Sequence, residues 1–282
     1  MKAHKLQRLL SSIYGKPLLI SKSGFQSVSS YLNSRNAGLM TFPEGGKEEA
    51  KLVPSFDSGV GIGVLTMQGP LTYRTSGWEA FCGGYSYEML LEQAEEMIEG
   101  GVKTIIIDCD SGGGEAYGCF ESADELRKMC DENDVRLYGY IDGSACSAMY
   151  GIICVCDEVI ANPMADVGSI GVLIALYNDS KALEMEGYER IFITDGTDKV
   201  PFDSDGQFRD SFLEDLQKRV SELGDEFRNH VAKYTQLSVA DLKNTQARVY
   251  SAQDALSMGL INKIQTRSEF VSYVLSNQGT DE

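Results

Sequence analysis

From residue 60 onward, short apolar runs alternate with segments in which apolar residues recur every three or four positions. The runs predict buried strands at residues 61–67, 102–109, 135–141, 158–161, 169–176 and 190–194. The periodic segments predict helices at residues 87–99, 121–130, 147–154, 180–186 and 208–234, and residues 252–264 predict a helix that runs into a strand. Repeated β-α units with buried strands predict an α/β fold with a largely parallel core.

Charge divides the chain into a basic part and an acidic part. The 282 residues carry a net charge of −17, but residues 1–42 contain six Lys or Arg and no acidic residue. Residues 41–58 hold two prolines and a Gly pair, a composition typical of linkers. We therefore predict a basic arm and linker at residues 1–55, a main domain at 56–268 and a C-terminal tail at 269–282. The arm either docks on an acidic surface or forms a mobile tail with weak helices.

Composition excludes several classes of function. The overall acidity argues against nucleic-acid binding, which needs clustered Lys and Arg. Only His4 and His230 are present, too few for a His-rich zinc site, and we predict no metal and no cofactor. The seven cysteines, an odd number without a CxxC pair, indicate reduced thiols in a cytoplasmic protein. The longest apolar run, residues 168–177, is about half a membrane span, so we predict no membrane anchor.

A glycine triplet provides the first candidate for chemistry. Asp110-Ser-Gly-Gly-Gly-Glu115 directly follows the predicted strand 102–109. Consecutive glycines at the end of a strand let backbone N–H groups turn toward an anion or an oxyanion. The spacing fits neither a dinucleotide fingerprint nor a Walker loop. A tight turn without any function is the alternative.

A second candidate lies where the strand 135–141 gives way to small residues and an apolar helix. Ser144, Cys146 and Ser147 all compete for the role of a nucleophile there. Ser147 directly precedes the helix, where the positive end of the helix dipole favours a developing anion. Alternatively, Ser144 or Ser147 simply caps the helix. Cys146 has no His candidate nearby.

A serine nucleophile needs a base, and neither histidine is well placed. His4 lies in the arm, and His230 falls near the end of the long predicted helix, where we expect a surface residue. Lysine can act as a base when burial favours its neutral form. Lys199 precedes Val-Pro-Phe in a predicted loop, but four nearby aspartates would hold it charged. A solvated loop lysine is the alternative.

Taken in chain order, these segments resemble those of the S49 peptidases, the family of signal peptide peptidase A and of phage head maturation proteases. Ser111-Gly-Gly-Gly114 is similar to the family's Ser-Pro-Gly-Gly element, with Gly112 in the place of the proline. Four further segments carry the resemblance: Ala145-Cys-Ser-Ala-Met-Tyr150, Cys156-Asp-Glu-Val-Ile-Ala-Asn-Pro163, Val167-Gly-Ser-Ile-Gly-Val172 and residues 245–264.

The resemblance implies a role for each matching residue and a fold. Ser147 would be the nucleophile, and Lys199, at the position of the family's lysine, the general base. Backbone N–H groups of Gly113, Gly114 and Ala148 would hold the oxyanion, and Ser169 would orient Lys199. The implied fold is a ClpP/crotonase-like spiral of β-β-α units, preceded here by the N-terminal arm.

The resemblance also implies a function and partners. The arm segment Tyr14-Gly-Lys-Pro-Leu-Leu-Ile20 is similar to an N-terminal stretch of phage capsid-assembly proteases. We therefore predict a Ser-Lys endopeptidase that cleaves scaffold, portal or capsid proteins in the bacterial host cytoplasm or within a phage prohead, with self-cleavage in residues 41–58. We expect a homo-oligomer in which substrate or a neighbouring subunit covers Lys199. The alternatives are a cytoplasmic signal-peptide-peptidase-like protease, a crotonase-type acyl-CoA enzyme and a catalytically silent assembly protein.

Overall fold

The computed structural model describes residues 14–36, 55–57, 59–74 and 84–277. The predicted linker and self-cleavage region lies almost entirely outside these ranges. The helices of the described part are α1 Lys22–Asn36, α2 Tyr87–Glu99, α3 Cys119–Glu132, α4 Ala148–Ile153, α5 Ser180–Met185, α6 Asp210–Tyr234, α7 Val239–Asn244, α8 Ala252–Met258 and α9 Arg267–Asn277. None of these helices is both long and apolar enough to span a membrane.

The described strands form two sheets. They are β1 Pro17–Ile20, β2 Ser55–Asp57, β3 Ile62–Gln68, β4 Leu71–Thr72, β5 Tyr85–Ser86, β6 Thr104–Ser111, β7 Gly113–Glu115, β8 Arg136–Cys146, β9 Glu158–Ala161, β10 Asp166–Gly168, β11 Leu173–Ile174, β12 Val249–Ser251 and β13 Lys263–Ile264. The larger sheet has the order β12-β10-β8-β6-β3-β2, with β9 and β13 branching from β8. The smaller sheet has the order β11-β1-β7-β4-β5.

The centre of the larger sheet is parallel and buried on both faces. β8 pairs in parallel with β6, and β6 pairs in parallel with β3. Along β6, Ile105 and Ile107 enter the main apolar cluster, whereas Ile106 joins a second cluster with Tyr138 and Phe270 on the opposite face. Burial on both faces explains why these strands are continuous apolar runs. The predicted α/β class is confirmed, with the architecture of a ClpP-like fold.

Parallel pairing brings the candidate motifs to one edge of the larger sheet. β8 pairs first with β9 and then, over Ser144–Cys146, with β10. Ser111 at the end of β6 lies opposite Ala145 near the end of β8. The glycine triplet, the serine segment and the Gly168-Ser169 turn therefore meet at the carboxyl ends of three neighbouring strands.

Two of the predicted strands differ in the structure. Residues 190–194 form no strand and are exposed, so this prediction is wrong. Of the predicted strand 169–176, only Leu173–Ile174 forms a strand, and Ala175 adds a single bridge to Tyr14. Both segments are apolar, but neither lies in the interior of a sheet, where ladder hydrogen bonds would hold it extended.

The described part of the basic arm docks on the main domain. β1 pairs with β7 and with β11, and Leu19 within it is completely buried. The contact is a backbone ladder with apolar side chains, not the charge pairing with an acidic surface that one hypothesis anticipated. At the other end of the chain, Phe270 and Val274 of α9 are buried against the second cluster.

Candidate active site

Ser147 lies in a strained turn between β8 and α4. Its φ of 56° and ψ of −117° are sparsely populated for a residue with a Cβ. Two backbone hydrogen bonds hold the turn: the Ser147 N–H donates to the Gly168 carbonyl at 2.8 Å, and the Gly151 N–H donates to the Ser147 carbonyl at 3.0 Å. Ser147 does not cap the helix through its side chain. Its hydroxyl donates instead to the Gly171 carbonyl, with Oγ and O 3.4 Å apart.

Ser144, the competing serine, is already paired. Its hydroxyl and its backbone N–H both donate to Oδ1 of Asp110, each over 2.9 Å. This pairing ties the end of β8 to the end of β6 and gives Ser144 a structural role.

The described cysteines are free thiols that burial holds in the protonated form. Cys146 is buried next to the candidate nucleophile, and burial raises the pKa of its thiol to about 12. Such a thiol is a poor nucleophile. Among the residues with described positions, His, Cys, Asp and Glu form no group of three or more that could hold a metal.

The glycine triplet packs too closely against other backbone for any side chain. A Cβ on Gly113 would lie 2.1 Å from the Leu19 carbonyl oxygen, and one on Gly114 would lie 1.9 Å from the Leu71 carbonyl oxygen. The Gly113 N–H donates to Oγ of Ser111 at 3.1 Å. The Ala148 amide nitrogen lies 3.0 Å from the same Cβ position on Gly113. The triplet is therefore a close-packed platform beside the start of α4.

Ser169 lies close to Ser147 through the backbone. The Ser147 N–H donates to the carbonyl of Gly168, the residue directly before Ser169. Ser169 is buried and has a φ of 54°. The Ser169 N–H donates to the Arg248 carbonyl at 2.8 Å. Two strained serines thus occupy adjoining turns.

Lys199 is exposed in this single chain. It ends a 3-10 turn, Thr197–Lys199, and forms no hydrogen bond or ion pair through its side chain with any described residue, Ser147 and Ser169 included. The structure brings together Ser147, Ser169, Ala148 and the glycine triplet. It does not bring Lys199 into contact with them.

The segment that leads to Lys199 exposes many apolar side chains. α5 has no buried residue. Between residues 185 and 193, the exposed apolar residues are Met185 (89% exposed), Tyr188, Ile191, Phe192 and Ile193 (97% exposed). Exposed apolar surface this dense on one segment is typical of an interaction site. We call it the apolar segment.

His230 is buried, not on the surface as expected. Its Nε2–H donates to the Gly151 carbonyl of α4 at 2.8 Å, and its ring stacks on Phe120. Burial lowers the pKa of His230, although the bond to Gly151 and the carboxylate of Asp124 oppose that change. His230 therefore anchors the short helix that begins at Ser147 and supplies a donor to one of its last carbonyls.

We expect stability to fall below about pH 6.5 through His230, since its lowered pKa means that the unfolded chain binds the proton more tightly than the folded chain. His230→Gln keeps an amide donor for Gly151 but takes up no proton. The Tm of this variant should therefore fall less between pH 7 and pH 5 than the Tm of the wild type. Thermal melts of both proteins at pH 7 and pH 5 test this, and an equal decrease in Tm for the variant and the wild type would contradict it.

A cavity of about 350 Å³ adjoins the nucleophile turn. It opens between Ile170–Val172 and the helices α6 and α7, with Arg228 and Lys243 among its lining residues. Gly171, whose carbonyl receives the Ser147 hydroxyl, forms part of its wall.

Comparison with known proteins adds independent support. Residues 131–279 match the model of peptidase family S49. The chain is 29% identical over 231 residues to the head-tail preconnector protein GP5 of Enterobacteria phage P21, covering 81% of this chain and 45% of that protein. It is 26% identical over 277 residues to the capsid assembly protease C of Escherichia phage lambda, covering 94% and 62%.

A cellular relative shows the same similarity. The chain is 30% identical over 187 residues to the putative signal peptide peptidase SppA of Enterococcus faecium, covering 64% of this chain and 53% of that protein. The chain thus spans about half to three fifths of the length of these relatives. The family model matches more than half of the chain, including the strained Ser147 turn. The chain belongs to peptidase family S49.

Proposed function

We propose that the chain is a serine endopeptidase with Ser147 as nucleophile and Lys199 as general base. The observation that carries the proposal is the strained Ser147 turn, held beside the glycine platform and the N-terminus of α4. A helix cap needs no such backbone strain, whereas a nucleophile in a sharp strand-to-helix turn does. A crotonase-type enzyme would need neither Ser147 nor Lys199, and membership of a peptidase family favours the protease.

The proposed reaction follows the logic of a Ser-Lys pair. Neutral Lys199 takes the proton from the Ser147 hydroxyl as Oγ bonds to the substrate carbonyl carbon. The N–H groups of Gly114 and Ala148 stabilise the oxyanion. The Gly113 N–H, which the resemblance also implied as a donor, is given no such role here because it donates to Oγ of Ser111. The C–N bond then breaks, Lys199 gives its proton to the leaving amine, and water hydrolyses the acyl-enzyme by the reverse proton transfers.

This role requires Lys199 to become covered. Burial favours the neutral amine, and an exposed lysine stays charged. We infer that a second copy of the chain packs on the apolar segment and encloses Lys199. Met185 and Ile193, almost fully exposed in one chain, support such packing.

Phage head proteins are the proposed substrates. The names of the two phage relatives refer to capsid assembly and to the head-tail preconnector, and these relatives match most of this chain. Co-expression with the neighbouring scaffold or capsid gene product, followed by intact-mass measurement, tests this assignment. Cleavage of that product is the expected result, and uncleaved product beside an enzyme that hydrolyses peptides would overturn it.

A fluorophosphonate probe tests the catalytic pair directly. The label should map to Ser147, remain in Ser144→Ala and decrease in Lys199→Ala. Ser144 is a suitable control because it is a serine near the end of β8, three residues before Ser147. Folded protein without any label, or label on Ser144, would contradict the proposal.

A further inference from the structure

We infer that Pro17–Ile20 occupies the cleft in which the protease binds its substrate and so competes with the substrate for that cleft. Leu19 takes the place of the substrate residue that precedes the scissile bond. The inference rests on the proposed function. β1 lies between β7 and β11 and is antiparallel to both. An extended peptide held by strands on both sides is a recurrent mode of peptide recognition.

The hydrogen-bond register places the Leu19 carbonyl at the proposed oxyanion donors. The Ser21 N–H donates to the Gly112 carbonyl at 2.7 Å, and the Ala116 N–H donates to the Pro17 carbonyl at 3.4 Å. Hydrogen-bonded and non-hydrogen-bonded pairs alternate along an antiparallel ladder. Leu19 and Gly114 lie opposite each other midway between those two bonded pairs, so they form the bonded pair between them. The N–H of Gly114 therefore points to the Leu19 carbonyl.

The second proposed donor, Ala148, lies near the same place. The Leu19 carbonyl oxygen and the Ala148 nitrogen lie 2.1 Å and 3.0 Å from one point, the position of a Cβ on Gly113. The Leu19 carbonyl, which receives the Gly114 N–H, therefore also lies near the amide of Ala148. The proposed reaction needs the scissile carbonyl there.

The side chains of β1 indicate the class of substrate. Leu19 is 0% exposed and enters the main apolar cluster of the domain. Leu18 and Ile20 face the other way and pack with Phe25 and Leu173. When β1 leaves, the space of the Leu19 side chain becomes an apolar pocket, so we expect extended substrates with leucine before the cleaved bond.

The departure of Gly112 from the family motif fits this docking. A Cβ at Gly112 would lie 2.9 Å from Oγ of Ser21 and 3.3 Å from Cα of Gly24. The Cβ of the proline in the family motif would therefore crowd the start of α1, and the Ser21 hydroxyl would have to move. Glycine at this position makes room for the segment that seats β1.

Locking β1 in place tests the competition. Leu18 and Leu173 are directly opposite each other, at a separation that suits a disulfide. In Leu18→Cys/Leu173→Cys, oxidation should reduce hydrolysis of a Lys-Pro-Leu-Leu coumarin amide at least tenfold, and reductant should restore it. The two single variants, oxidised in parallel, are the controls. An unchanged rate in protein whose disulfide is verified by mass would overturn the inference.

Releasing β1 should have the opposite effect. Leu19→Asp places a carboxylate in an apolar site, and we expect at least fivefold faster hydrolysis and faster labelling of Ser147. Gln26→Asp makes the same change of charge on the exposed side of α1 and should leave both rates unchanged. Circular dichroism checks the fold, and if Leu19→Asp is unfolded the disulfide variant decides alone. Equal rates in folded Leu19→Asp and wild type would overturn the competition.

The substrate assignment has its own comparison. The wild type should hydrolyse Lys-Pro-Leu-Leu amide at least tenfold faster than Lys-Pro-Leu-Asp amide, and equal rates would overturn the leucine preference. If no variant hydrolyses either peptide or labels at Ser147, the proposed function itself fails and the inference falls with it. Labelling of Ser147 without any effect of locking or release overturns the inference alone.

Discussion

Ser147→Ala is expected to reduce peptide hydrolysis by about 10⁴-fold or more, since without the nucleophile only binding and the oxyanion donors remain. The reason lies in the position of the hydroxyl, on a turn with a φ of 56° whose neighbours Cys146 and Ala148 pack against Gly113. Ser144, the nearby serine at the end of β8, cannot replace it because its hydroxyl donates to Asp110. Initial rates with the coumarin amide measure the effect.

Ser144→Ala is the matched control for this loss. It removes the same group three residues earlier and breaks the bond to Asp110, so we expect a lower Tm with hydrolysis retained. Ser147→Ala should leave the Tm almost unchanged, because its hydroxyl makes only a long bond to Gly171. A large loss of activity in Ser144→Ala with little in Ser147→Ala would reverse the assignment of the nucleophile.

The central elements of the fold could be predicted because their sequence pattern and their burial have the same cause. β6 is buried on both faces and is therefore apolar at consecutive positions. α2 buries one stripe, so the periodicity of its apolar residues gave the bounds Tyr87–Glu99 as observed. Where local pattern and tertiary contact coincide, the sequence alone is sufficient.

β1 could not be predicted because its partners are distant in sequence. Four residues form too short a run to distinguish a strand from a loop, and the pairing depends on β7 and β11, about 100 and 155 residues further along the chain. The docking of this segment is visible only in the three-dimensional arrangement. For the same reason the prediction of a strand at residues 190–194 is wrong: the segment is apolar, but the structure places no strand beside it.

His230 could have been recognised from a sequence signal that was overlooked. It lies three residues after Phe227 and directly before Val231, both buried in α6, and so falls on the apolar stripe of that helix. A polar residue on such a stripe is expected to have a buried partner. That partner, the Gly151 carbonyl, belongs to α4 and could not be identified from the sequence.

Gly114→Ala is expected to reduce hydrolysis on the order of 10²–10³-fold, the usual effect of losing one oxyanion donor. The added Cβ would lie 1.9 Å from the carbonyl oxygen of Leu71. The strand β7 must therefore shift, and the amide of residue 114 moves with it. Because that same amide faces β1, the variant should also loosen the competing strand. The loss of hydrolysis should nevertheless dominate, since a free cleft without its donor cannot stabilise the oxyanion.

Gly100→Ala separates this effect from the general effect of replacing a glycine. Gly100 is exposed at the end of α2 and has a φ of −71°, which alanine adopts without strain. Hydrolysis by Gly100→Ala should equal that of the wild type, and Ser147 labelling together with kcat and KM should be measured for both variants. Gly114→Ala should lower kcat more than it raises KM, because the oxyanion forms only in the transition state. Unchanged kcat in folded Gly114→Ala would mean that another group holds the oxyanion.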